Sequence, residues 1–406
     1  MEQIKEEQGI VERLLPAVNR VMIVQDMTSG GINDQYSVRY RGKLIRDSEQ
    51  AYSDLEPIFS EEGMTLVFRS DEDADVILGL EGVHVSGPSN PWINIGLFVL
   101  TLGSMMLAGA LDSPEAPALI EQYGPIMGAI RALPIGLPFA ISLLAILLAH
   151  EFGHYLAARY HNHPVTLPYF IPLPISYFGT MGAFIRLKAP PRNRRVLHDI
   201  GIAGPLAGLV LAIPILLYGL SISEVGPIWD TIPPGWGIRF EGNSIFYLAS
   251  KYIVTGQLLP APADYGGVNP LIYWVRYFFT GLPAPFGGVD VTLHPIAWAG
   301  WAGLLVTSLN LIPAGQLDGG HVLYVLWGKG ARRLWPFIVV ALVALGFIWS
   351  GWWIWALLIF FLGRTYAQPL DDITPLDPGR RSLALFGILI FFLVFIPIPL
   401  RFFWGV

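Results

Sequence analysis

The stretch LLAHEFGHYLAARYHNHPVTLPYFIPLPI, residues 147–175, joins an apolar run containing His-Glu-x-x-His to a segment rich in proline. His150 and His154 are four residues apart, so on a helix both imidazoles leave the same face and can approach one ion. Glu151 lies beside the first histidine, where it can reach a water at such an ion without binding the ion itself. Four prolines within 164–174 then exclude a helix, so the chain must leave helical geometry soon after the two histidines.

Around this stretch the composition is that of a membrane protein. Only 14% of the 406 residues are charged, against roughly 25% in soluble domains. Six stretches without Asp, Glu, Lys or Arg approach or exceed the roughly 20 residues with which a helix crosses a hydrocarbon core. They are 92–111, 132–149, 200–223, 291–317, 334–363 and 382–400. The sequence therefore predicts a polytopic α-helical membrane protein with about six or more transmembrane helices.

Charges in the loops predict how the chain is oriented. Between positions 159 and 199 there are six basic residues and one acid, whereas 112–131 and 224–290 hold more acids than bases. By the positive-inside rule, the loop after His-Glu-x-x-His faces the cytoplasm. We expect a multi-pass protein of the cell membrane whose partners include the lipid bilayer. The basic residues lie in loops between apolar runs, so no nucleic-acid partner is expected.

The first residues differ from the rest in charge and pattern. Residues 1–90 contain 17 acids and 8 bases. Alternating strands at 35–45, 65–69 and 75–80 and a helix from Asp47 or Ser48 to Gly63 predict a small α+β domain. We assign residues 1–88 to this cytoplasmic domain, with a regulatory or assembly role as the simplest interpretation.

The remaining residues, 89–406, are assigned to a transmembrane domain. An external loop is expected at about 224–290, with interfacial helices at 244–254 and 270–280 marked by Trp and Tyr. The uncharged run 334–363 favours two short helices that separate at Ser350-Gly351, and a single tilted helix is the alternative.

Two histidines alone do not complete a metal centre. A catalytic zinc needs a third protein ligand and one open position, and without cysteine in the chain it must come from His, Asp or Glu. Asp318, in NLIPAGQLDGGH, is the only acid between Asp290 and Asp371 and ends an uncharged run. We interpret Asp318 as the third ligand; capping of the following helix is the alternative.

The two motifs together resemble those of the site-2 proteases, which are membrane-embedded zinc endopeptidases. The matching residues are His150, Glu151, His154 and the triplet Leu317-Asp318-Gly319. The similarity extends over about 137–324 and includes GTMGAFIRL and DIGIAGPLAG. It is greatest to the branch of the family found in archaea, cyanobacteria and chloroplasts. No PDZ-like insert is recognised before residue 198.

This resemblance implies an activity and a set of roles. His150, His154 and Asp318 would hold one Zn²⁺ per chain, and Glu151 would act as general base on the water. The substrates would be transmembrane segments of other proteins, cut in regulated intramembrane proteolysis. Many members read N-P-x-P-x-L-D-G, whereas this chain has Leu311 in place of the first proline and two extra residues before Leu317. The local backbone path and a substrate-binding role of Asn310 therefore depend on the structure.

The proline-rich segment has an explanation within this interpretation. Non-helical backbone at membrane depth persists where it is buried in protein or lines a wet cavity, which would also supply water. Residues 179–187 form a plausible strand, and an unwound substrate could add to its edge. We assign Gly179, Thr180 and Gly182 to substrate binding, with an ordinary hairpin as the alternative.

Other polar residues receive simpler interpretations. His198 and Asp199 are predicted to cap the next helix, and His161 and His163 to lie at the interface. His321 is expected to hydrogen bond near the metal centre rather than bind the ion. The small residues at 204–208 are taken as a helix-packing face.

Other functions remain open at this point. A divalent-cation transporter would use similar ligands, but several weak sites along a path would be expected of it. A membrane-client binder that does not cleave is a second alternative, which the presence of Glu151 disfavours. A zinc protease acting on soluble substrates is a third, although such enzymes usually take their third ligand from a downstream glutamate.

Overall fold

The computed structural model describes residues 2–30, 36–71, 73–83, 87 and 89–405. The other positions of the predicted 1–88 domain, including the first residue of the predicted strand 35–45, lie outside the described residues. The amino-terminal elements are α1 (Glu2–Val18), β1 (Met22–Ser29), β2 (Val38–Leu44), α2 (Ser48–Glu61), β3 (Met64–Asp71) and β4 (Ala74–Glu81). The four strands form one antiparallel sheet in the order β1-β2-β4-β3.

Local signals account for much of this α+β region. Asp47 caps α2, because its Oδ1 accepts hydrogen bonds from the backbone N–H groups of Glu49 and Gln50 at 3.1 and 3.3 Å. Gly63 follows the helix with a φ of +73°, a conformation that favours glycine. The predicted strands at 35–45, 65–69 and 75–80 correspond to β2, β3 and β4, whereas α1 and β1 were not predicted.

A segment far along the chain joins this sheet. The backbone N–H of Phe68 on β3 donates to Leu370 O at 2.9 Å, and Asp372 N–H donates back to Phe68 O at 3.2 Å. On its other side, Asp371 N–H donates to Arg192 O at 2.7 Å. An ion pair of 2.6 Å between Arg195 and Glu49 supports the same junction. These hydrogen bonds and this ion pair join the amino-terminal region to the start of the long helix Arg194–Ser221 and to the loop before it.

The rest of the chain is mainly helical. Its helices are α3 (Pro91–Leu111), α4 (Ala116–Tyr123), α5 (Pro125–Ala132), α6 (Leu137–Tyr160), α7 (Arg194–Ser221), α8 (Ile245–Thr255), α9 (Pro270–Thr280), α10 (Pro295–Asn310), α11 (Asp318–Trp327), α12 (Trp335–Gly346), α13 (Gly351–Leu362) and α14 (Pro378–Val394). Short 3₁₀ turns cover Leu133–Gly136 and Gly328–Arg333. The strands are β5 (Tyr169–Pro172), β6 (Thr180–Phe184), β7 (Glu224–Pro227), β8 (Gly237–Glu241), β9 (Val289–Thr292) and β10 (Leu400–Trp404).

Three helical segments among the described residues are long and apolar enough to cross a membrane, judged by length and composition. They are Pro91–Leu111, Pro125–Tyr160 and Arg194–Ser221. The prediction of six or more spans took each uncharged run as one helix. In the structure, three of those runs are not continuous helices. Run 291–317 contains a turn after Asn310, run 334–363 divides into α12 and α13, and α14 ends at Val394 before Pro397. The structure therefore confirms the split of 334–363 into two helices.

The predicted external loop, 224–290, has more order than its composition suggested. The two expected helices are present as α8 and α9, with Ser244 and Asn269 as their capping residues. Two small antiparallel sheets that were not predicted, β7-β9 and β8-β10, close this part of the molecule.

Close helix packing is what brings distant motifs together. A Cβ on Gly153 of α6 would lie 2.5 Å from Ala203 O on α7, and one on Gly300 of α10 would lie 2.6 Å from Leu216 Cα on α7. Helices approach this closely only where a side chain is missing. Helix α7 is therefore held between α6, which carries the two histidines, and α10, which leads to Asp318.

Candidate metal centre

His150 and His154 lie on the second half of α6 with their rings side by side. This helix continues for 24 residues from Leu137, and both histidines are buried at 3% and 6% exposure. Their Nε2 atoms are 3.2 Å apart. The four-residue spacing on a regular helix produces this arrangement, as the sequence indicated.

Asp318 faces both rings from the first turn of α11. Its Oδ2 is 3.3 Å from His150 Nε2 and its Oδ1 is 3.4 Å from His154 Nε2. The turn between α10 and α11 places it there, and Gly319 makes the tight turn possible because a Cβ on it would lie 2.0 Å from Leu311 O. No side-chain cap starts α11 in this described part of the chain, so the capping alternative for Asp318 gains no support.

The three side chains fit a metal ion. One ligand atom from each of His150, His154 and Asp318 lies within 4.8 Å of the others. Two ligands held tetrahedrally at the roughly 2.0–2.1 Å of zinc bonds are separated by about 3.3 Å. The two histidine Nε2 atoms, 3.2 Å apart, agree with that value, and they lie 3.3 and 3.4 Å from the two different carboxylate oxygens of Asp318. Imidazole and carboxylate donors in this number also leave one position open.

Helix α7 fixes the orientation of the His154 imidazole. His154 Nδ1 lies 2.7 Å from Ile200 O, which assigns the Nδ1 proton to that hydrogen bond and directs Nε2 toward Asp318. Gly204 faces the same ring, and a Cβ there would lie 2.1 Å from His154 Nε2. Gly208 faces His150 with more room, at 3.3 Å. The small residues at 204–208 thus do more than pack helices, since Gly204 leaves the space that His154 occupies.

Glu151 and Asn310 lie next to the three side chains. Glu151 is 4% exposed and is not among the three converging residues. The backbone of Ile185, one residue after β6, faces its carboxylate. Asn310 Nδ2 is 3.3 Å from His150 Nε2, so this amide contacts a proposed ligand directly.

The proline-rich segment forms a hairpin beside α6. Strands β5 and β6 pair in antiparallel fashion, so the strand predicted at 179–187 is present over its first part. Gly179 has a φ of +68° and packs on α3, because a Cβ on it would lie 2.5 Å from Ser104 O. The Thr180 hydroxyl donates to Ile171 O at 2.9 Å within the hairpin. Gly182, at a φ of +104°, has open space where its side chain would be.

Strand β6 pairs with β5, and no other strand pairs with it among the described residues. The sheet contains only β5 and β6 in the described residues, and Met181 and Phe184 on β6 are 70% and 48% exposed. An unpaired, exposed strand edge is a template for strand addition.

The remaining polar residues near the motif form a separate network. Asn193, not His198 or Asp199, caps α7, so the capping prediction for that pair was wrong. Asp199 lies one turn further in, where it accepts from Arg380 at 2.6 and 2.8 Å and contacts His161 at 2.9 Å. A capping side chain must precede the first turn of the helix. Asn193 has this position, and its side-chain amide oxygen accepts a hydrogen bond from Val196 N–H.

The other histidines are outside the group of three. His163 contacts Ala189 O at 2.9 Å, and His294 caps α10 by accepting from Ile296 N–H. His321 lies on α11 against Gly201, whose Cβ would be 3.0 Å from the His321 Cβ, and its Nδ1 has no hydrogen-bond partner among the described residues. The predicted hydrogen bond from His321 to the centre is therefore not observed.

Three helical segments of membrane length, His-Glu-x-x-His on one of them and an aspartate from the short helix α11 are together the features of a membrane metallopeptidase. Comparison with known families agrees: the model of Peptidase family M50 matches residues 138–349, about half of the chain, and the chain belongs to this family. The resemblance to site-2 proteases is thereby confirmed.

Curated relatives of this chain include plant proteins. The chain is 29% identical over 344 residues to the probable zinc metalloprotease EGY1, chloroplastic, of Arabidopsis thaliana, covering 80% of this chain and 57% of that protein. It is 27% identical over 385 residues to the probable zinc metalloprotease EGY2, chloroplastic, of the same plant, covering 93% and 62%. The chain thus spans between about half and two thirds of the length of these relatives. No solved structure matches.

Proposed function

We propose that this protein is a zinc endopeptidase that hydrolyses peptide bonds within or near transmembrane segments of membrane proteins. The observation that carries the proposal is the convergence of His150, His154 and Asp318 within 4.8 Å, with Glu151 buried beside them. Membership of Peptidase family M50 and the printed names of the plant relatives support the same reaction.

In this proposal His150, His154 and Asp318 hold one Zn²⁺. The bound ion supplies Lewis acidity, which polarises a carbonyl oxygen and acidifies water. Glu151 accepts the proton of the attacking water on its carboxylate and delivers it to the leaving amide nitrogen. Ile200 keeps His154 in the tautomer with Nε2 free. Asn310, whose amide nitrogen lies 3.3 Å from the ligating atom His150 Nε2, is assigned to contact the substrate beside the ion.

The substrate enters as an extended strand along β6. A helical substrate has its carbonyls hydrogen-bonded and shielded, so it must unwind before cleavage, and pairing with a free edge satisfies the released backbone groups. Gly182 contributes open space on this edge, while Gly179 and Thr180 fix the hairpin that carries it. Because the backbone of Ile185 faces Glu151, a segment paired to β6 runs toward that carboxylate.

The orientation and location follow from the charge pattern. The loop after α6, with its basic residues, and the amino-terminal α+β domain at 1–88 lie in the cytoplasm, and 224–290 lies outside. The membrane domain at 89–406 uses α10, α12, α13 and α14 as further crossings beside the three long segments, which gives six or more. The membrane is the cell membrane in this proposal; the plant relatives are named as chloroplastic.

The experiment that tests the proposal is cleavage of a single-pass membrane protein by the purified chain in detergent. We expect cleavage that stops after dialysis against a zinc chelator and returns on addition of about one zinc per chain. A soluble unfolded protein such as casein serves as control and should be cut far more slowly. Casein cut as fast as the membrane protein would instead support a protease of soluble substrates. Tight zinc binding without any cleavage would support a client binder.

A further inference from the structure

A cavity lies at the other end of α6 from the two histidines. It has a volume of about 490 Å³, within the size range of ligand sites. Phe139, in the first turn of α6, lines it and precedes His150 by roughly 16 Å along the helix. The cavity is therefore separate from the metal centre.

The cavity runs along one edge of β8. Every residue of this strand, Gly237–Glu241, lines the cavity, whereas its partner β10 contributes no lining residue in the described part of the chain. Successive side chains of a strand point to opposite faces, so a cavity that contacts all five residues lies at the edge away from β10. No other strand pairs with β8 among the described residues. An extended peptide can add to such an edge.

The tip of the β5-β6 hairpin contacts two walls of this cavity. The ring centre of Phe178 is 5.7 Å from that of Trp298, and the Arg239 guanidinium is 5.9 Å from the ring centre of Tyr177. Trp298 and Arg239 both line the cavity, and the guanidinium is 4.6 Å from the Trp298 ring centre. The cavity therefore begins beside the tip of the hairpin that carries β6.

Strand β6 leads from this tip toward the metal centre. Thr180, the first residue of β6, follows Phe178 by two positions, and the backbone of Ile185 after the strand faces Glu151. A segment paired with β6 thus has one end near Glu151 and the other end beside the cavity. An extended chain advances about 3.3 Å per residue, so about five residues cover the roughly 16 Å between the two sites.

The charged side chains of the wall compensate one another. Arg239 donates to both carboxylate oxygens of Asp112 at 2.7 and 2.8 Å. Burial lowers the pKa of Lys251, and Asp290 and Glu241 both oppose that change, so this ammonium is the countercharge of two carboxylates. Its Nζ has no hydrogen-bond partner among the described residues. A cationic ligand would be repelled by this ammonium and an anionic ligand by the two carboxylates, so the wall favours an uncharged occupant.

We propose that this cavity binds the external flank of the membrane substrate, as an uncharged extended segment with an aromatic side chain in contact with Trp229 and Trp298. The inference rests on the proposed function, because the flank belongs to the protein whose extended segment pairs with β6. It enters the cavity about five residues from the cut bond. The β8 edge supplies partners for its backbone, and the two tryptophans supply apolar surface for its side chain.

The binding test is calorimetric titration of the full chain carrying Glu151→Gln, in detergent, with the peptide acetyl-Gly-Ser-Trp-Val-Ser-Gly-amide. We expect one saturable site, and at least about tenfold weaker binding when lysine or aspartate replaces the tryptophan of the peptide. Adding Gly226→Phe should weaken binding of the tryptophan peptide by a similar factor. Gly226 lines the cavity and a Cβ on it meets no heavy atom within 4 Å, so the new ring occupies the cavity without displacing its wall.

The matched control is Gly103→Phe. Gly103 is an exposed glycine of α3 outside the cavity lining, and a Cβ on it also meets no heavy atom within 4 Å, so peptide binding should be unchanged. If Gly226→Phe melts too low to titrate, Thr292→Trp enlarges an exposed residue of the same wall and should show the same loss.

A cleavage assay connects the cavity to the substrate. The substrate is a single-pass membrane protein with Ser-Trp-Val-Ser placed about five residues outside the cut bond, which mass spectrometry of the products identifies. In the chain with Glu151 intact, Gly226→Phe should raise KM for this substrate at least about tenfold and leave kcat unchanged, because the lost contact only binds. A substrate with Ser-Lys-Lys-Ser at the same place should show the same KM with and without Gly226→Phe.

Three results would overturn the proposal: unchanged peptide affinity in both cavity variants, equal binding of the lysine and tryptophan peptides, or an unchanged KM for the tryptophan substrate in both variants. Absence of cleavage by the parent protein would instead contradict the proposed peptidase activity. The calorimetric test does not depend on cleavage, so the two failures are distinguishable.

Discussion

Glu151→Gln is expected to abolish cleavage of a membrane substrate while the purified protein keeps about one zinc per chain. Glutamine has nearly the same shape as glutamate but cannot accept a proton, and Glu151 is not among the three converging ligand residues. Loss of a general base typically lowers rates by about 10²–10⁴-fold, so the cleavage rate should fall by at least roughly a hundredfold. Single-turnover cleavage measures the rate, and metal analysis of the same preparation measures the zinc content.

The matched control for this variant is Glu121→Gln, the same change at an exposed position on α4. It should retain the parental rate and zinc content. Equal turnover of the Glu151→Gln protein and the parent would remove Glu151 from the proposed mechanism. Loss of zinc in Glu151→Gln would mean that Glu151 is a ligand.

Gly204→Ala should damage the metal centre although no ligand is changed. The new Cβ would lie 2.1 Å from His154 Nε2, a distance that forces the ring or helix α7 to move. Changes around metal ligands commonly cost about 10–100-fold in metal affinity, and we expect a zinc affinity at least that much weaker. Overpacking should also cost roughly 1–3 kcal/mol of stability. Zinc competition titration and a melting curve measure the two effects.

Two other glycines separate this steric effect from a general effect of alanine in a helix. Gly103 on α3 has no heavy atom within 4 Å of the new Cβ, so Gly103→Ala should bind zinc like the parent. Gly208→Ala, with 3.3 Å to His150, should give an intermediate loss. The assignment of Gly204 as the residue that leaves room for His154 fails if Gly204→Ala shows parental zinc affinity.

Local sequence signals predicted the parts of the molecule that local chemistry determines. The helix spacing of His150 and His154 placed both rings on one face, and the prolines after α6 predicted the end of helical structure. The cap at Asp47 and the stop at Gly63 set the bounds of α2 to within two residues. In each case the decisive contacts lie within a few residues of one another along the chain.

Features that depend on distant partners were missed. The pairing of residues 370–372 with β3 joins positions about 300 apart, and nothing in the short segment indicates a strand. Sheet β8-β10 likewise closes only when the carboxyl terminus returns to 237–241. The role of Gly204 was not visible, because a glycine in a membrane helix is ordinary until the side chain opposite it is known. Asn193 was missed as a cap because His198 and Asp199, which are also polar and near the start of the helix, were assigned that role instead.

The zinc affinity of Asp318→Ala beside that of the parent tests the central claim most directly. His150 and His154 come from α6 and Asp318 from α11, so a shared metal requires these two helices to meet as the structure describes. Competition with a zinc chelator should give about one tight site per chain in the parent and an affinity at least roughly tenfold lower in Asp318→Ala. An unchanged affinity in Asp318→Ala would contradict the assignment of Asp318 as the third ligand.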